Sequence, residues 1–488
     1  MKNIATVALP DNVQQPRYDR SRLQTRIVHL GFGAFHRAHQ ALLTDRVLNQ
    51  AGGDWGICEI SLFSADVLMQ QLRQQDHRYT VLEKGPDGNQ PIVVGAVREC
   101  LNGKLDSLET IIEKFCEPQV AIVSLTITEK GYCVDPATGL LDVTQPRIVH
   151  DLQTPNAPRS APGILVEALH RRQQRGLAPF TVLSCDNIPD NGRVVKNAVL
   201  GMAARRSDLL AAWIEANVRF PGTMVDRIVP AATQASLDEI ADELGVSDPC
   251  AVSCEPFIQW VIEDSFVAGR PEWEIAGAQL VDDVLPWEQM KLRMLNGSHS
   301  FLAYAGYLSG YQYISDCMND PLFRTAAARL MMQEQAPTLR ITGVDLQDYA
   351  DSLLARFANP ALQHRTWQIA MDGSQKLPQR MLDSIRHCLR HGTEWPLLAF
   401  GVAAWMRYAS GVDDSGSPIE IKDPLGDKIA ARVAASEAAG RVSALLSLSE
   451  IFGADLPANP QFVSAVSRAW DLISRHGTRE ALRLTLGQ

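Results

Sequence analysis

A short β-branched run followed by a helical pattern recurs through the first half of this chain and stops near residue 286. Residues 26–30 precede a helical stretch at 35–49, and residues 180–184 precede another at 194–204. Further strand-like runs lie at 55–62, 120–128 and 228–232. Strands alternating with helices predict a parallel sheet with crossover helices, which is an α/β fold. Beyond residue 286 such runs become rare and 3.6-residue periodicity takes over, as at 326–333, 382–391 and 441–452. The second half is therefore expected to be mostly α-helical. Turn residues crowd GRPEWEIAGAQLVDDVLP, which divides the chain into a dinucleotide-binding domain at 1–285 and a helical substrate and catalytic domain at 286–488.

At 488 residues the chain exceeds what a single hydrophobic core organises, in keeping with that division. Apolar and charged fractions of 46% and 21% are those of a globular protein and exclude a disordered or coiled-coil chain. A formal net charge of −10 argues against nucleic acid, whose phosphates are bound through clustered Lys and Arg. The longest apolar run near the C-terminus, 397–406, is half of the roughly 20 residues a membrane span needs, so it is expected to be a buried helix. The N-terminal residues lack a basic segment leading into a sustained apolar stretch, which predicts a cytoplasmic protein. Nine scattered cysteines without a CxxC pair are expected to be reduced thiols, with Cys250 and Cys254 structural. No obligate protein partner is evident.

RIVHLGFGAFHRAHQ places Gly31, Phe32 and Gly33 where a predicted strand gives way to a helix. Glycines there let the backbone turn sharply beside a pyrophosphate, and the following helix turns unpaired N–H groups toward its charge. His36 replaces the third glycine of the dinucleotide fingerprint. An acid for the adenosine ribose is expected roughly 20 residues on, at the end of the second strand. Glu59 and Asp66 both stand near that place. His36 and His39 carry no matching cysteine or acidic cluster, so they are expected on the helix surface or beside the phosphates, and no metal site is predicted.

The most specific segment is LPWEQMKLRMLNGSHSFLAY, where Lys291, Asn296 and His299 are spaced K-x4-N-x2-H. On an α-helix Asn296 and His299 fall roughly 140° and 80° around from Lys291, so all three can line one side of a cleft. A lysine stripped of water gives up its proton more readily and can serve as acid/base at a secondary alcohol. The Asn296 amide can stabilise a developing alkoxide, and His299 can hold the reacting oxygen. Gly297 lowers helix propensity within this pattern, which predicts a close approach by another segment. In TVLSCDNIPDNG, Asn187 lies just past a strand tip, where open α/β sheets bind ligands, and offers a second amide. Arg365, Lys376 and Arg380 lie close in sequence and can hold a substrate carboxylate, or else form a solvated basic face.

Seven segments, GFGAFHRAHQ, SLTITEKGYC, SCDNIPDNG, MVDRIVP, CEPFIQWVIED, KLRMLNGSH and DGSQKLPQR, resemble the polyol-specific long-chain dehydrogenase/reductase family of mannitol dehydrogenases. The resemblance covers nearly the whole chain and implies a Rossmann-type N-terminal domain, a mostly helical C-terminal domain, and NAD-dependent, metal-independent chemistry in the cleft between them. It implies Lys291 as catalytic acid/base, Asn187 and Asn296 as the oxyanion site, His299 on the reacting oxygen, Glu288 on the proton path, and Asp66 on the ribose, disfavouring NADP. HRTWQIAMDGSQKLPQR and MMQEQAPTL are more similar to the fructuronate reductase branch of the family. Where the mannitol enzymes are expected to carry an arginine, this chain has Gln368, with Arg365 three residues earlier. The implied reaction interconverts a hexonate and its keto-uronate, D-mannonate and D-fructuronate. The alternatives are oxidation of mannitol or another hexitol and, from a different class, an NAD-holding sensor without turnover, against which the presence of Lys291 argues.

Overall fold

Five strands build the sheet that organises the first half: β1 (Gln24–Leu30), β2 (Trp55–Ser61), β5 (Val97–Asn102), β6 (Ile122–Leu125) and β7 (Thr181–Ser184). All pair in parallel, in the order β5-β2-β1-β6-β7. In this computed structural model residues 3–86, 88–135 and 138–488 are described. They fall into two compact units, one ending at Leu285 and one beginning at Pro286.

Near-continuous apolar runs make these strands because both faces of the sheet are covered. Successive side chains point to opposite faces, so Ile27, Ile57, Ile122 and Leu183 enter one core while Val28, Cys58, Val123 and Val182 enter another. Chain order along the sheet reverses between β1 and β6, and a crevice opens beyond the carboxyl ends of the strands at such a reversal. Two smaller sheets complete the unit. One pairs a hairpin of β3 (Tyr79–Gly85) and β4 (Gly88–Val94) with β9 (Val252–Cys254), and the other joins β8 (Thr223–Asp226), β10 (Gln259–Glu263) and β11 (Gln279–Val281).

The second unit is helical. Its apolar run belongs to the helix Pro396–Ala409, buried along nearly its whole length and packed against Ser298–Leu308 and Pro460–His476. Pro396 suits the first turn, where its missing N–H is not needed. The buried Glu334 carboxylate accepts from the N–H groups of Leu397 (2.8 Å) and Leu398 (2.7 Å) at that helix start. Three segments, Lys291–Gly297, Leu330–Gln335 and Pro378–Leu382, are widened π-helical turns. The first packs against both of the others.

Several elements differ from the sequence reading. The stretch 35–49 is two helices, Ala34–Ala38 and Gln40–Ala51, because His39 leaves helical geometry to reach the Gln259 carbonyl on β10 (3.0 Å). Residues 228–232 form no strand. Pro230 has no N–H to give a ladder, the Ile228 N–H is taken by the Glu255 carboxylate, and MVD just before them forms β8 instead. The pattern at 441–452 divides into Arg441–Leu446 and Ser449–Phe452, where the Ser447 hydroxyl takes the Ala444 carbonyl (2.7 Å). The stretch 326–333 starts in the α-helix Pro321–Arg329 and crosses into a π turn. All nine cysteines are buried and unpaired. Among the described residues no helix is long and apolar enough to cross a membrane.

Candidate functional site

In the first unit, Gly31 follows β1 at the sheet's point of reversal, and the structure shows why that residue has no side chain. Its φ is +113°, and a Cβ would lie 2.1 Å from the carbonyl oxygen of Thr126, just past β6. The Thr126 hydroxyl donates to the Gly31 carbonyl (2.9 Å), so the two strand ends are tied across the switch point. Around Gly33 the opposite holds: a Cβ would meet nothing within 4 Å, which leaves open space beside the backbone. Phe32 packs its ring into the core against Tyr79, so only its backbone is available to a ligand.

The two acids near the end of β2 have different surroundings. Glu59 is fully buried and meets His36 Nε2 at 2.6 Å. Burial raises its carboxyl to about 7 and lowers the His36 imidazole to about 3, so the interior favours a neutral pair. Asp66 begins the helix Asp66–Gln74, is partly exposed, and pairs with Lys104 at 2.8 Å. That hydrogen bond to Lys104 keeps its carboxyl below the usual range.

His36 and His39 are both buried, contrary to the surface or phosphate-side placement expected of them, because the helices that carry them turn these faces into the core. His29, His36 and Glu59 come within 4.8 Å of one another. The His29 and His36 rings lie flat together at 3.3 Å. Both His29 nitrogens are engaged, Nδ1 with Ser124 Oγ (2.7 Å) and Nε2 with the Gly31 carbonyl and Thr126 Oγ1 (2.9 Å each). The group is a hydrogen-bonded support beneath the glycine turn.

Two of the distinctive segments meet at the ends of β6 and β7. The Asp186 carboxylate accepts from Ile127 N–H (2.9 Å), Thr128 N–H (3.0 Å) and the Tyr132 hydroxyl (2.6 Å), which fixes SLTITEKGYC against SCDNIPDNG. Thr128 and Asp190 hold positive φ, +63° and +51°, strained for residues with a side chain. Asn187 follows on this anchored turn and is exposed.

In the second unit, Lys291, Asn296 and His299 are 6%, 7% and 7% exposed. Lys291 and Asn296 stand at either end of the π turn, and His299 lies in the first turn of the helix Ser298–Leu308. A π turn closes from residue i to i+5, so the five-apart Lys291 and Asn296 come closer together around the axis than the roughly 140° of an α-helix. Glu288, partly buried, precedes them on Leu285–Met290. A Cβ on Gly297 would lie 2.6 Å from the Arg380 carbonyl oxygen and 2.5 Å from Gln335 Nε2, so all three π turns meet at this glycine. The close approach expected from the sequence is present. The Ser298 hydroxyl donates to Gln335 Oε1 (3.0 Å), and Arg380 donates to the Ser300 hydroxyl (2.9 Å).

The three cations near residue 370 separate. Arg380 is partly buried, and Lys376 donates to the carbonyls of Met371 (2.5 Å) and Ile369 (3.2 Å). Desolvation lowers Lys376 to about 8 and Arg380 to about 10. Arg365 is exposed at the start of the helix Thr366–Ala370, its backbone bridging Tyr313. Sequence reasoning missed His364, which approaches His299: the His299 ring stacks on Phe357 at 5.0 Å and meets His364 edge-on at 4.8 Å.

A parallel sheet with a glycine turn at its reversal, followed by a helical unit with a buried lysine and asparagine on one widened turn, is the architecture of a Rossmann-type oxidoreductase. Residues 25–275 match the mannitol dehydrogenase Rossmann domain and residues 283–474 the mannitol dehydrogenase C-terminal domain. The chain belongs to the mannitol dehydrogenase family. It is 72% identical to an uncharacterized oxidoreductase of Escherichia coli (strain K12), covering 100% of both chains. It is 56% identical to D-mannonate oxidoreductase of the same organism, covering 99% of each. Among solved structures it resembles Pseudomonas fluorescens mannitol 2-dehydrogenase in ternary complex with NAD and D-mannitol, with a TM-score of 0.86, 40% identity and 98% of each chain covered.

Proposed function

We propose that this chain is an NAD-dependent oxidoreductase interconverting D-mannonate and D-fructuronate, with Lys291 as acid/base. The observation that carries the chemistry is the π turn that holds Lys291 and Asn296 together, both buried. Similarity to the D-mannonate oxidoreductase, closer than to the mannitol enzyme, supports the substrate.

The glycine turn fits a dinucleotide: Gly31 admits no side chain, and open space borders Gly33. Gly31, Phe32 and Gly33 would hold the pyrophosphate through their backbone, and Asp66 would hold the ribose, because Glu59 is committed to His36 in the interior. NAD, when bound, supplies the hydride acceptor. Lys291 takes the proton of the substrate hydroxyl during oxidation and returns it to the carbonyl during reduction. The Asn296 amide steadies the alkoxide, His299 orients the oxygen, and Glu288 connects Lys291 to bulk water. Asn187 is the second amide donor. All nine thiols being unpaired suits a cytoplasmic setting.

The test is a panel of hexuronates, hexonates and hexitols with NADH or NAD, on the wild type and on Lys291→Ala. D-fructuronate should be reduced far better than D-fructose, and the variant should lose roughly 10²–10⁴-fold in kcat while still binding NADH. Equal or better activity on fructose would reject the uronate reading in favour of a hexitol. Near-normal kcat in Lys291→Ala would remove the lysine from the mechanism.

A further inference from the structure

The carbonyl of Gly31 is held from beneath by three donors. Thr126 gives its hydroxyl (2.9 Å) and Gly33 its N–H (2.8 Å), and the third is the His29 ring, whose Nε2 stands 2.9 Å away. A carbonyl only accepts, so Nε2 carries the ring proton, and Nδ1 accepts from the Ser124 hydroxyl at 2.7 Å. Burial first, and then the neighbouring His36, hold the imidazole well below its ordinary range, so the ring is neutral. It is also fixed in place. His29, Ser124, His36 and Glu59 are all fully buried, the His36 ring lies flat on His29 at 3.3 Å, and Glu59 holds His36 at 2.6 Å.

What is tied beneath the turn decides what is offered above it. A glycine peptide reorients easily, and these donors hold this one in a single orientation. Across a trans peptide the C=O and N–H point opposite ways, so a Gly31 carbonyl drawn into the interior turns the Phe32 N–H away from it. That N–H finds no acceptor among the described residues, although Phe32 is only 5% exposed. Buried backbone N–H groups are nearly always paired. An unpaired one at the sheet's reversal, next to the open space bordering Gly33, suits a phosphate oxygen.

We propose that His29 is a positioning residue for the dinucleotide: by donating to the Gly31 carbonyl it aims the Phe32 N–H at the pyrophosphate, and so sets the affinity for that part of NAD without touching it. This rests on the reading that the glycine turn holds the pyrophosphate.

Titration of NADH, and of adenosine, which has no phosphate, into the full chain tests it on the wild type, His29→Leu, His29→Gln, Thr126→Val and Gly33→Asp. His29→Leu keeps most of the bulk of the ring and removes both of its hydrogen bonds. NADH should then bind about 10-fold more weakly or worse, the worth of one hydrogen bond to a charged group, while adenosine affinity stays within about twofold. His29→Gln, whose amide can donate in place of Nε2, should recover most of the loss. Thr126→Val removes another donor to the same carbonyl, should weaken NADH in the same selective way, and carries the test if His29→Leu fails to fold. Equal losses of NADH and adenosine, or His29→Gln binding NADH as poorly as His29→Leu, would reduce His29 to a packing role and overturn the proposal. Gly33 has φ −81° and room for a side chain, so Gly33→Asp puts a carboxylate in the open space without strain and should abolish NADH binding. That loss, with His29→Leu and Thr126→Val binding NADH as the wild type does, overturns the role of His29 alone. A Gly33→Asp protein that binds NADH normally overturns the glycine-turn reading as well.

Discussion

Replacing Gly297 by alanine tests the claim that three π turns are held together by the absence of a side chain. The new Cβ would sit 2.6 Å from the Arg380 carbonyl oxygen and 2.5 Å from Gln335 Nε2. Non-bonded atoms settle at roughly 3.5 Å or more, so the backbones must part by roughly 1 Å. The Gln335 amide cannot simply swing aside, because the residue is buried and bonded to Ser298. Overpacking costs about 1–3 kcal/mol, and a clash with a backbone carbonyl and a held amide takes the upper part of that range, about 2–3 kcal/mol, of which alanine regains about 1 kcal/mol in helix propensity. A net loss of about 1–2 kcal/mol corresponds to a fall of about 3–6 °C in the melting midpoint of a unit this size. Asn296 and His299 flank the strained position, and a misplacement of about 1 Å costs roughly 10²-fold in rate, so kcat should drop by about 10- to 100-fold. Gly426→Ala is the control, since a Cβ there meets nothing within 4 Å. Thermal unfolding and steady-state kinetics read both effects. A Gly297→Ala protein that melts no lower than Gly426→Ala and keeps its kcat would refute the packing argument.

Asp66→Ala removes a carboxylate and leaves Lys104, which pairs with Asp66 at 2.8 Å in the wild type, able to attract a ribose phosphate. The kcat/KM preference for NADH over NADPH should narrow by about 10-fold or more, the worth of one charged hydrogen bond; an unchanged ratio takes Asp66 out of cofactor selection. Glu59 has a folded-state carboxyl raised to about 7, so its protonated form contributes stability that is complete below pH about 4.5 and lost as pH climbs through 7. Compared with Glu59→Gln, the wild type should lose up to about 1.4 kcal/mol per pH unit across that window, while the depressed His36 acts oppositely in both proteins, losing stability as pH falls below about 6.5. Parallel melting curves from pH 5 to 8 would show that the Glu59 proton is not linked to folding.

Periodicity and turn chemistry made the parallel sheet legible, because strands buried on both faces leave continuous apolar runs. Gly297 was legible for a related reason: a glycine inside a helical pattern requires a steric cause, and the Arg380 carbonyl supplies it. Other features depend on long-range partners. Glu59 and Asp66 looked equivalent until His36, 23 residues earlier, took one of them into the core. His39 breaks its helix for a carbonyl 220 residues away. The wheel drawn for Lys291 and Asn296 assumed α-helical spacing, and the wider turn depends on packing against 330–335 and 378–382 that no local pattern records. His364 was invisible because its place comes from the His299 ring it meets edge-on, 65 residues earlier in the chain.

The widened turn at Lys291–Gly297 also fixes a phase. A π turn amounts to an α-helix holding one residue more than its hydrogen-bond ladder can place, so everything downstream is rotated by roughly 100° relative to an uninterrupted helix. His299, Ser300 and the apolar face of Ser298–Leu308 all inherit that rotation. Deleting a single residue from the turn would restore the better ladder and turn each of these side chains to the wrong side. In this stretch the change that most improves the helix as a helix is the one that dismantles the site, and the chain's reading frame of side chains is anchored on its least regular turn.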